Sequence, residues 1–374
     1  MNQWRYIQDD GANAATGLAA DELLMDYHLK DGAEPAPGVL RLYTYRDHCA
    51  LVGRFQNIHA ELDLSYCRKQ DISVSRRLTG GGGIIMGRHQ LGVCVTMPAP
   101  DKLTTRQLYR KLSLPLVEAL KALGIQACLR GKNDLEVRGR KIAGLGIYSN
   151  PHGIIQFHTS LLLDLDLELM LKVLKIPLQK LSDKMMKGIR QRITTVKEET
   201  GAPMDAREFR HLLKKAFEST LGVSFFTQAF SPSENKAIDH LAHSIYGHPD
   251  WLYSQSPQPD MNGMGVKKTA AGLLRAYVAL KGQTIKSLLI TGDYLADNGI
   301  FSEIESQLKW SPAEKEAIAA TVEKVFHSGK ELPAGIDPKD ITALVWRASL
   351  AAMKEVHYNY RGACYQPAEL RQGV

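Results

Sequence analysis

The feature that most constrains the fold is a run of four glycines directly after two arginines, Arg76-Arg-Leu-Thr-Gly-Gly-Gly-Gly83. It lies between two segments with the pattern of β-strands, 72–75 and 91–97. Glycines let a backbone approach a bound molecule closely and turn several N–H groups toward it, and arginine adds fork-shaped donors suited to phosphate or carboxylate. The run therefore indicates an anion-binding loop on a sheet, with a flexible surface turn or bulge as the alternative. Its spacing matches neither a Walker A loop nor a dinucleotide fingerprint.

Strand and helix patterns alternate around this run and predict a mixed α/β fold. Further strands are predicted at 39–45, 49–53 and 154–163, and helices at 17–29, 104–123, 166–174 and 205–221. The segments 135–137 and 141–143 flank the turn Arg138-Gly139 and predict a tight hairpin whose second strand begins with Lys141.

The chain length of 374 residues favours two domains. Turn-forming residues cluster in Ser231-Pro-Ser-Glu-Asn235, so we place a linker near 224–234. The predicted domains are residues 1–225, a mixed-sheet α/β domain, and residues 235–374, a small α+β domain.

Composition excludes several classes of protein. With 44% apolar and 23% charged residues, the chain has ordinary globular composition, and no stretch approaches the roughly 20 apolar residues of a membrane helix. The five cysteines form no CxxC pair, which argues against a disulfide framework or a structural zinc site and favours a reducing, cytoplasmic location. The net charge of +7 favours an acidic partner, but no continuous basic stripe with interleaved aromatics indicates nucleic-acid binding.

A second group of candidate residues lies around the hairpin, in Gly131-Lys-Asn-Asp134 and at Lys141. A lysine held in an apolar strand needs an anion, and it could stabilise charge that develops during acyl transfer. Asp134 could offer an oxygen ligand to magnesium. An exposed hairpin lysine and a turn-forming aspartate are the alternatives.

Two further side chains have both a chemical and a structural interpretation. His158 stands within a predicted strand, where it could hydrogen-bond a ligand or serve only as a satisfied structural histidine. Cys128 is a candidate nucleophile, but no general base is identifiable beside it, so we expect a buried structural thiol.

Taken in order, five segments resemble the lipoate-protein ligase family, part of the wider biotin and lipoate ligase and octanoyltransferase superfamily. They are Leu51-Val-Gly-Arg-Phe-Gln-Asn57, the arginine–glycine run, Gly131-Lys-Asn-Asp134 with Lys141, His158-Thr-Ser-Leu-Leu162, and Gly188-Ile-Arg-Gln-Arg-Ile-Thr194. Thr159 stands where the family has glycine. The segment Trp251-Leu-Tyr-Ser-Gln-Ser-Pro257 is similar to the start of the family's accessory domain.

The resemblance implies a catalytic domain with the biotin/lipoate ligase fold and an accessory domain after it. It implies an enzyme that joins lipoate to ATP, giving lipoyl-AMP and pyrophosphate, and then transfers the lipoyl group to a lysine of a carrier protein or domain. Lys141 would be catalytic, touching both substrates, and Asp134 would hold Mg²⁺. The residues implied for nucleotide and acyl binding are Arg76, Arg77, Gly81, Gly82, Gly83, Ile84, Ile85, Asn133, Asp134, Lys141 and His158. Neither a nucleic acid nor a membrane is expected as a partner.

One departure concerns the residues after the glycines. The family has A-V-x-H-D-x-G-N there, whereas this chain has Gly83-Ile-Ile-Met-Gly-Arg-His-Gln-Leu-Gly92. Because the altered loop is expected to border the acyl pocket, it predicts a changed acyl or carrier preference, with His89 in place of the lost histidine.

Three other functions remain as alternatives. An octanoyl- or lipoyltransferase would work without ATP through a thioester on Cys128. A biotin ligase shares the architecture but would need a G-R-G-R-x-G-R loop, which this sequence lacks. A non-enzymatic nucleic-acid-binding protein would show salt-sensitive binding without forming an acyl-adenylate.

Overall fold

The fold is described by a computed structural model that covers residues 2–29, 37–100, 103–131, 133–175, 188–295, 299–328 and 335–359. The chain divides into two compact units. The first comprises Met1–Arg54 and Ile58–Ser254, and the second comprises Phe55–Asn57 and Gln255–Val374.

The first unit contains strands and helices in a mixed order, as the sequence predicts. Its strands are β1 (Asn2–Ala12), β2 (Val39–Tyr45), β3 (Cys49–Val52), β4 (Ser73–Arg76), β5 (Ile84–Met86), β6 (Gln90–Pro98), β7 (Cys128–Arg130), β8 (Asp134–Val137), β9 (Arg140–Ser149), β10 (Ile154–Leu162) and β11 (Val223–Thr227). Its helices are α1 (Ala14–Asp26), α2 (Ile58–Glu61), α3 (Leu64–Lys69), α4 (Thr105–Ala122), α5 (Leu167–Val173), α6 (Val196–Thr200), α7 (Ala206–Leu221), α8 (Pro232–Leu241) and α9 (Pro249–Leu252). A 3₁₀ turn (Tyr27–Leu29) follows α1, and a π-helix (Ala242–Tyr246) follows α8.

Eight of these strands form one sheet in the order β11-β1-β2-β6-β10-β9-β8-β7. Strand β1 runs parallel to β2 and β11, and the other neighbours are antiparallel, so the sheet is mixed. Helices α4 and α7 contribute to the core cluster that contains one face of this sheet. The predicted repeat of Leu108, Leu112, Leu116 and Leu120 is buried in that cluster. Helix α4 begins at a Thr104–Gln107 capping box and continues through Pro115.

A smaller sheet, in the order β4-β3-β5, also belongs to the first unit. Leu51 of β3 and Met86 of β5 share a core cluster with Tyr43 and Tyr45 of β2 and with Leu18 of α1. The glycine run connects β4 to β5, and the predicted hairpin is β8–β9 of the large sheet. Both candidate segments therefore belong to this unit.

The segment 232–254 also belongs to the first unit. Ile238, Ala242 and Tyr246 pack with Ala14 and Leu18 in the same cluster. The region in which we expected a linker, 224–234, contains most of β11, which pairs with β1, and the start of α8. The division between the units therefore falls after Ser254, because α8 and the following helices bury an apolar side.

The second unit has an α+β fold, with one three-stranded sheet and three helices among its described residues. Strands β12 (Gly263–Thr269), β13 (Gly272–Lys281) and β14 (Thr284–Gly292) form an antiparallel sheet with α10 (Ile300–Leu308), α11 (Lys315–Phe326) and α12 (Pro338–Asn359). Gly265 of β12 allows close approach of α12, since a Cβ there would lie 2.4 Å from the carbonyl oxygen of Leu344. Among the described residues, no helix has both the length and the apolar character to span a membrane.

The first unit contains a buried ion pair that yields a stability prediction. Arg41 is fully buried, and its guanidinium lies 2.5 Å from Asp21 Oδ1 and 2.6 Å from Asp9 Oδ2. Asp21→Ala removes the fully buried partner and leaves Arg41 paired only with the partly exposed Asp9, so it should lower the free energy of unfolding by about 3 kcal/mol, the lower end of the cost of breaking a buried pair. Asp9→Ala is the matched control, and it should cost less because the Asp9 side chain is 26% exposed and Asp21 remains. Urea denaturation measures both losses; equal losses would contradict this account.

Candidate active site

The glycine loop follows β4 and is held very close to the end of β3. A Cβ on Gly53 would lie 2.0 Å from the carbonyl oxygen of Gly81, so only glycine fits there. Gly81 itself has φ +94°, which also favours glycine. Gly82 is exposed, and a Cβ there would meet no atom within 4 Å. One side of the loop is thus packed against β3, and the other side is open.

Arg76 and Arg77 support this loop from within. Arg76 is fully buried and donates hydrogen bonds to the carbonyls of Gly53 and Arg54 and, from the segment 249–254, of Trp251 and Leu252. Arg77 donates to the carbonyls of Leu51, at 2.7 Å, and Gly82, at 2.8 Å.

In the described structure both guanidinium groups bind backbone carbonyls, and the expected binding of Arg76 and Arg77 to the nucleotide stays a prediction. A tight glycine loop leaves backbone carbonyls without a ladder partner, and the arginines satisfy them. Burial lowers the pKa of Arg76 to about 10, helped by the cations of Arg77 and Arg54, and burial lowers the pKa of Arg77 to about 10. Both remain charged at neutral pH, so they contribute positive potential beneath the loop.

His158 of β10 also lies beneath the loop, with Nε2 3.3 Å from Thr79 Oγ1. Gly146 on the neighbouring strand makes room for it, because a Cβ there would be 2.6 Å from Nε2. Burial, and then the nearby Arg77 cation, lowers the pKa of His158 to about 3. The imidazole is therefore neutral at physiological pH, so it can donate one hydrogen bond and accept another without adding charge.

Lys141 and Asp134 are brought together by the β8–β9 hairpin, with the Lys141 Nζ 2.7 Å from Asp134 Oδ1. The strand register shifts between Leu135 and Glu136, which are part of β8. The two side chains are 38% and 34% exposed, so a ligand can reach the ammonium group. A Cβ on Gly144 would lie 3.0 Å from Nζ, and glycine thus leaves space beside the lysine.

Asn133 holds the hairpin in shape. Its side-chain amide donates to the carbonyl of Leu145 at 2.7 Å, and its own carbonyl accepts from the Leu145 N–H at 2.8 Å. The neighbouring Lys132, which the sequence analysis grouped with it, lies outside the described residues.

An apolar cavity of about 510 Å³ adjoins Lys141. Strand β5, strands β9 and β10, helix α5 and the segment 188–193 contribute its walls. Its described lining residues are Gly83, Ile84, Ile85, Lys141, Gly144, Ser160, Leu162, Leu165, Met170, Leu174, Gly188, Ile189, Arg192 and Ile193. Within that lining, the charged side chains are Lys141 and Arg192, so the cavity combines an apolar interior with two cations.

The segment 188–194 is joined to the lysine strand by backbone hydrogen bonds. The Lys141 N–H donates to the carbonyl of Arg192 at 2.8 Å, and the Thr194 N–H donates to the carbonyl of Lys141 at 2.9 Å. Four of the five segments singled out in the sequence contribute residues to the described lining of the cavity beside Lys141: the glycine run, the hairpin, 158–162 and 188–194. The apolar wall formed by Leu165, Met170 and Leu174 was not singled out, although the predicted helix 166–174 contains most of it.

The residues of the altered loop after the glycines line two different cavities. Ile84 and Ile85 line the apolar cavity, whereas Arg88 and His89 line a second, polar cavity of about 610 Å³. The chain turns at Gly87, where a Cβ would be 2.8 Å from His48 Nδ1. The expectation that His89 replaces the lost histidine at the acyl pocket is therefore wrong for the described structure.

Cys128 lies on β7, the edge strand of the large sheet. The thiol is exposed, which corrects the expectation of a buried cysteine; a short edge strand leaves this face uncovered. Cys128 pairs with Glu136, and Glu136 pairs with Lys141, so β8 separates the cysteine from the lysine strand. Cys128 is absent from the described lining of the apolar cavity.

Comparison with known proteins gives a consistent result. The model of a family described as the lipoyl protein ligase A/B catalytic domain matches residues 13–218, more than half of the chain. The lipoate-protein ligase LplJ of Bacillus subtilis is 29% identical over 277 residues, which cover 74% of this chain and 82% of that protein. The octanoyltransferase LipM of Geobacillus kaustophilus is 26% identical over 278 residues, which cover 67% of this chain and 98% of that protein.

A solved structure shares the fold. It comes from an archaeal lipoylation system, a bi-partite lipoate protein ligase and its E2 lipoyl domain from Thermoplasma acidophilum. The TM-score is 0.61 at 25% identity, covering 69% of this chain and 98% of that chain. The expected ligase-like architecture is thereby confirmed.

The low pKa of His158 predicts a pH dependence of stability. In the unfolded chain the imidazole has an ordinary pKa near 6.5, so between that value and about 3 the unfolded state binds one more proton than the folded state. The free energy of unfolding should therefore fall as the pH drops below 6.5, by at most about 1.4 kcal/mol per pH unit from this residue. His158→Gln should show a shallower fall between pH 7 and pH 5 in urea titrations. Parallel curves for the two proteins would contradict the assignment.

Proposed function

Because the chain belongs to the lipoyl protein ligase A/B catalytic-domain family, we propose that it is an ATP-dependent lipoate-protein ligase. It activates lipoate as lipoyl-AMP and transfers the lipoyl group to a lysine of a carrier protein or domain. The observation that carries the proposal is the position of Lys141, paired with Asp134 and part of the lining of an apolar cavity.

The cavity suits a medium-length acyl chain that ends in a carboxylate. Burying each methylene group contributes roughly 0.8 kcal/mol, so the apolar walls favour the hydrocarbon part of lipoate. Ile85, Leu162 and Met170 are among these walls. The carboxylate would lie toward Lys141, because an ionised group is costly to bury without a partner of opposite charge.

Activation requires two anions to approach one another. A carboxylate oxygen attacks the α-phosphorus of ATP; the new P–O bond forms as the bond to the bridging oxygen breaks, and pyrophosphate leaves with the electron pair. Lys141 and Arg192 lie together on the cavity wall, and their charges would offset the repulsion between the carboxylate and the phosphates.

Transfer then needs an incoming amine. The ε-amino group of the carrier lysine attacks the acyl carbon, AMP leaves, and the amine proton passes to water. The exposed side of the glycine loop at Gly82 offers backbone N–H groups to the adenylate. The positive charges of the buried Arg76 and Arg77 would support the same site.

Asp134 fits a partial role in holding magnesium. Mg²⁺ is usually bound through one or two carboxylates together with phosphate oxygens and water, and the described residues contain no group of three acidic, histidine or cysteine side chains that could hold a metal ion alone. A metal carried in by the triphosphate would meet one carboxylate, Asp134, which now faces Lys141.

We assign activation and transfer to the first unit and an accessory role to the second. The family match, residues 13–218, lies in the first unit apart from the short insertion Phe55–Asn57. The second unit has its own sheet and core, as a separately packed accessory domain would.

An ATP-independent octanoyl- or lipoyltransferase is the second candidate, and the similarity to octanoyltransferases over nearly their whole length favours it. Such an enzyme needs a thiol that can receive the acyl chain from the cavity. Cys128 is exposed on an edge strand and lies outside the described cavity lining, which favours the ligase.

Replacing Lys141 tests the ligase directly. With lipoate, ATP and Mg²⁺, the wild-type protein should release pyrophosphate, and Lys141→Ala should lower kcat/KM by at least about a hundredfold, since a charge that acts on the transition state is lost. Lys121→Ala is the matched control: its side chain is 59% exposed on α4, and activity should stay within twofold. Wild-type rates in Lys141→Ala would contradict the role of that lysine, and running octanoate in parallel compares the acyl substrates.

Replacing Cys128 separates the two candidate functions. The ligase requires no covalent enzyme intermediate, so Cys128→Ala should keep the rate of ATP-dependent lipoylation of a lipoyl domain within twofold. Activity that needs no ATP and disappears in Cys128→Ala would instead establish the transferase. Mass spectrometry of the acceptor domain measures both.

A further inference from the structure

A buried carboxylate lies at the junction of the lysine strand and the segment 188–194. The Glu199 side chain, on α6, is only 4% exposed. Its two oxygens bind Arg138 and Arg140 separately, and Oε1 also accepts a 2.7 Å hydrogen bond from Thr194 Oγ1. We call Glu199, Arg138, Arg140 and Thr194 the Glu199 cluster.

The Glu199 cluster contacts both chain segments that pair through the backbone at Lys141, namely the start of β9 and the segment 188–194. Arg140 directly precedes Lys141, and Thr194 ends the segment whose residues Arg192 and Ile193 line the apolar cavity. Lys141 and Ile193 are paired in parallel, with hydrogen bonds on both sides of Lys141. Glu199 therefore links Arg140, at the start of β9, to Thr194, which directly follows the cavity-lining residues Arg192 and Ile193.

The adjacent Glu198 contacts two of the same side chains, Arg140 and Thr194, but at longer distances than Glu199 does. Glu198 is 52% exposed, lies 3.4 Å from the Arg140 guanidinium and accepts from Thr194 at 3.2 Å. Longer contacts and greater exposure make it the weaker partner, because solvent screens exposed ion pairs. Thr194 is 1% exposed, so without Glu199 its hydroxyl would depend on the more distant Glu198.

We propose that Glu199 is a positioning residue for the acyl site: it fixes the segment 192–194 against Lys141 and so sets the part of the cavity wall formed by Arg192 and Ile193. This inference rests on the proposed function. Glu199 is not among the described residues that line the cavity, and it acts through Thr194 and Arg140. Loss of its charge weakens the bonds from Arg140 and Thr194, because a neutral amide has one acceptor oxygen and turns a donor group toward the arginines, and the wall should separate from the lysine strand.

The test compares Glu199→Gln with Glu198→Gln, which remove the same charge from neighbouring positions. Glu199→Gln should lower kcat/KM for lipoate about tenfold or more, through KM rather than kcat, because the wall and not a reacting group is displaced. Glu198→Gln should stay within twofold. Glu199→Asp, which restores the charge, should recover part of the loss.

A second readout is independent of activity. Amide hydrogen exchange at Lys141 and Thr194 should accelerate at least tenfold in Glu199→Gln, with no change in α4 and α7. Hydrogen exchange tests the role of Glu199 even if the wild-type protein releases no pyrophosphate. The missing pyrophosphate would then refute the proposed function but not the positioning role of Glu199. If Glu199→Gln fails to fold, Thr194→Val removes the 2.7 Å hydrogen bond to Glu199, together with the longer 3.2 Å contact to Glu198, and should show the same local acceleration, at least threefold. Unchanged exchange in a folded variant, equal effects in the two glutamine variants, or a loss confined to kcat would overturn the proposal.

Discussion

The pairing of Lys141 with Asp134 beside an apolar cavity is the interaction on which the rest of the site depends. An ammonium group next to hydrocarbon walls is stable only if an anion is present, and Asp134 supplies one at 2.7 Å. The two side chains are 38% and 34% exposed, so an anion that enters from solvent can compete for the lysine. The β8–β9 hairpin and the segment 188–194 both serve to hold this lysine at the cavity wall.

The buried arginines show how a glycine loop can be both open and well defined. Glycine removes the side chains that would fix the backbone, and each glycine adds conformational freedom that folding must overcome. Arg76 and Arg77 compensate by donating to several loop and strand carbonyls. Arg76 also donates to the carbonyls of Trp251 and Leu252, so it ties the loop to the segment 249–254, which lies beyond the family match. Cations thus organise the loop while adding positive potential beneath it.

Much of the fold and the grouping of the candidate residues could be predicted from the sequence. Helix α4 and the strand β2 follow clear periodic patterns, and the hairpin turn placed Lys141 near Asp134. Side-chain direction could not be predicted, because a strand pattern does not reveal whether Arg76 faces a ligand or a carbonyl. The exposure of Cys128 and the placement of His89 likewise depend on which strands end at a sheet edge and where the chain turns.

The most direct test of the central claim is a crystal structure with a non-hydrolysable acyl-adenylate analogue, such as a lipoyl-sulfamoyl adenosine. The account predicts the acyl chain inside the 510 Å³ cavity between β5 and α5, and the sulfamoyl group within hydrogen-bond distance of the Lys141 ammonium. An analogue bound with its acyl chain outside that cavity, or with its linking group far from Lys141, would contradict the account.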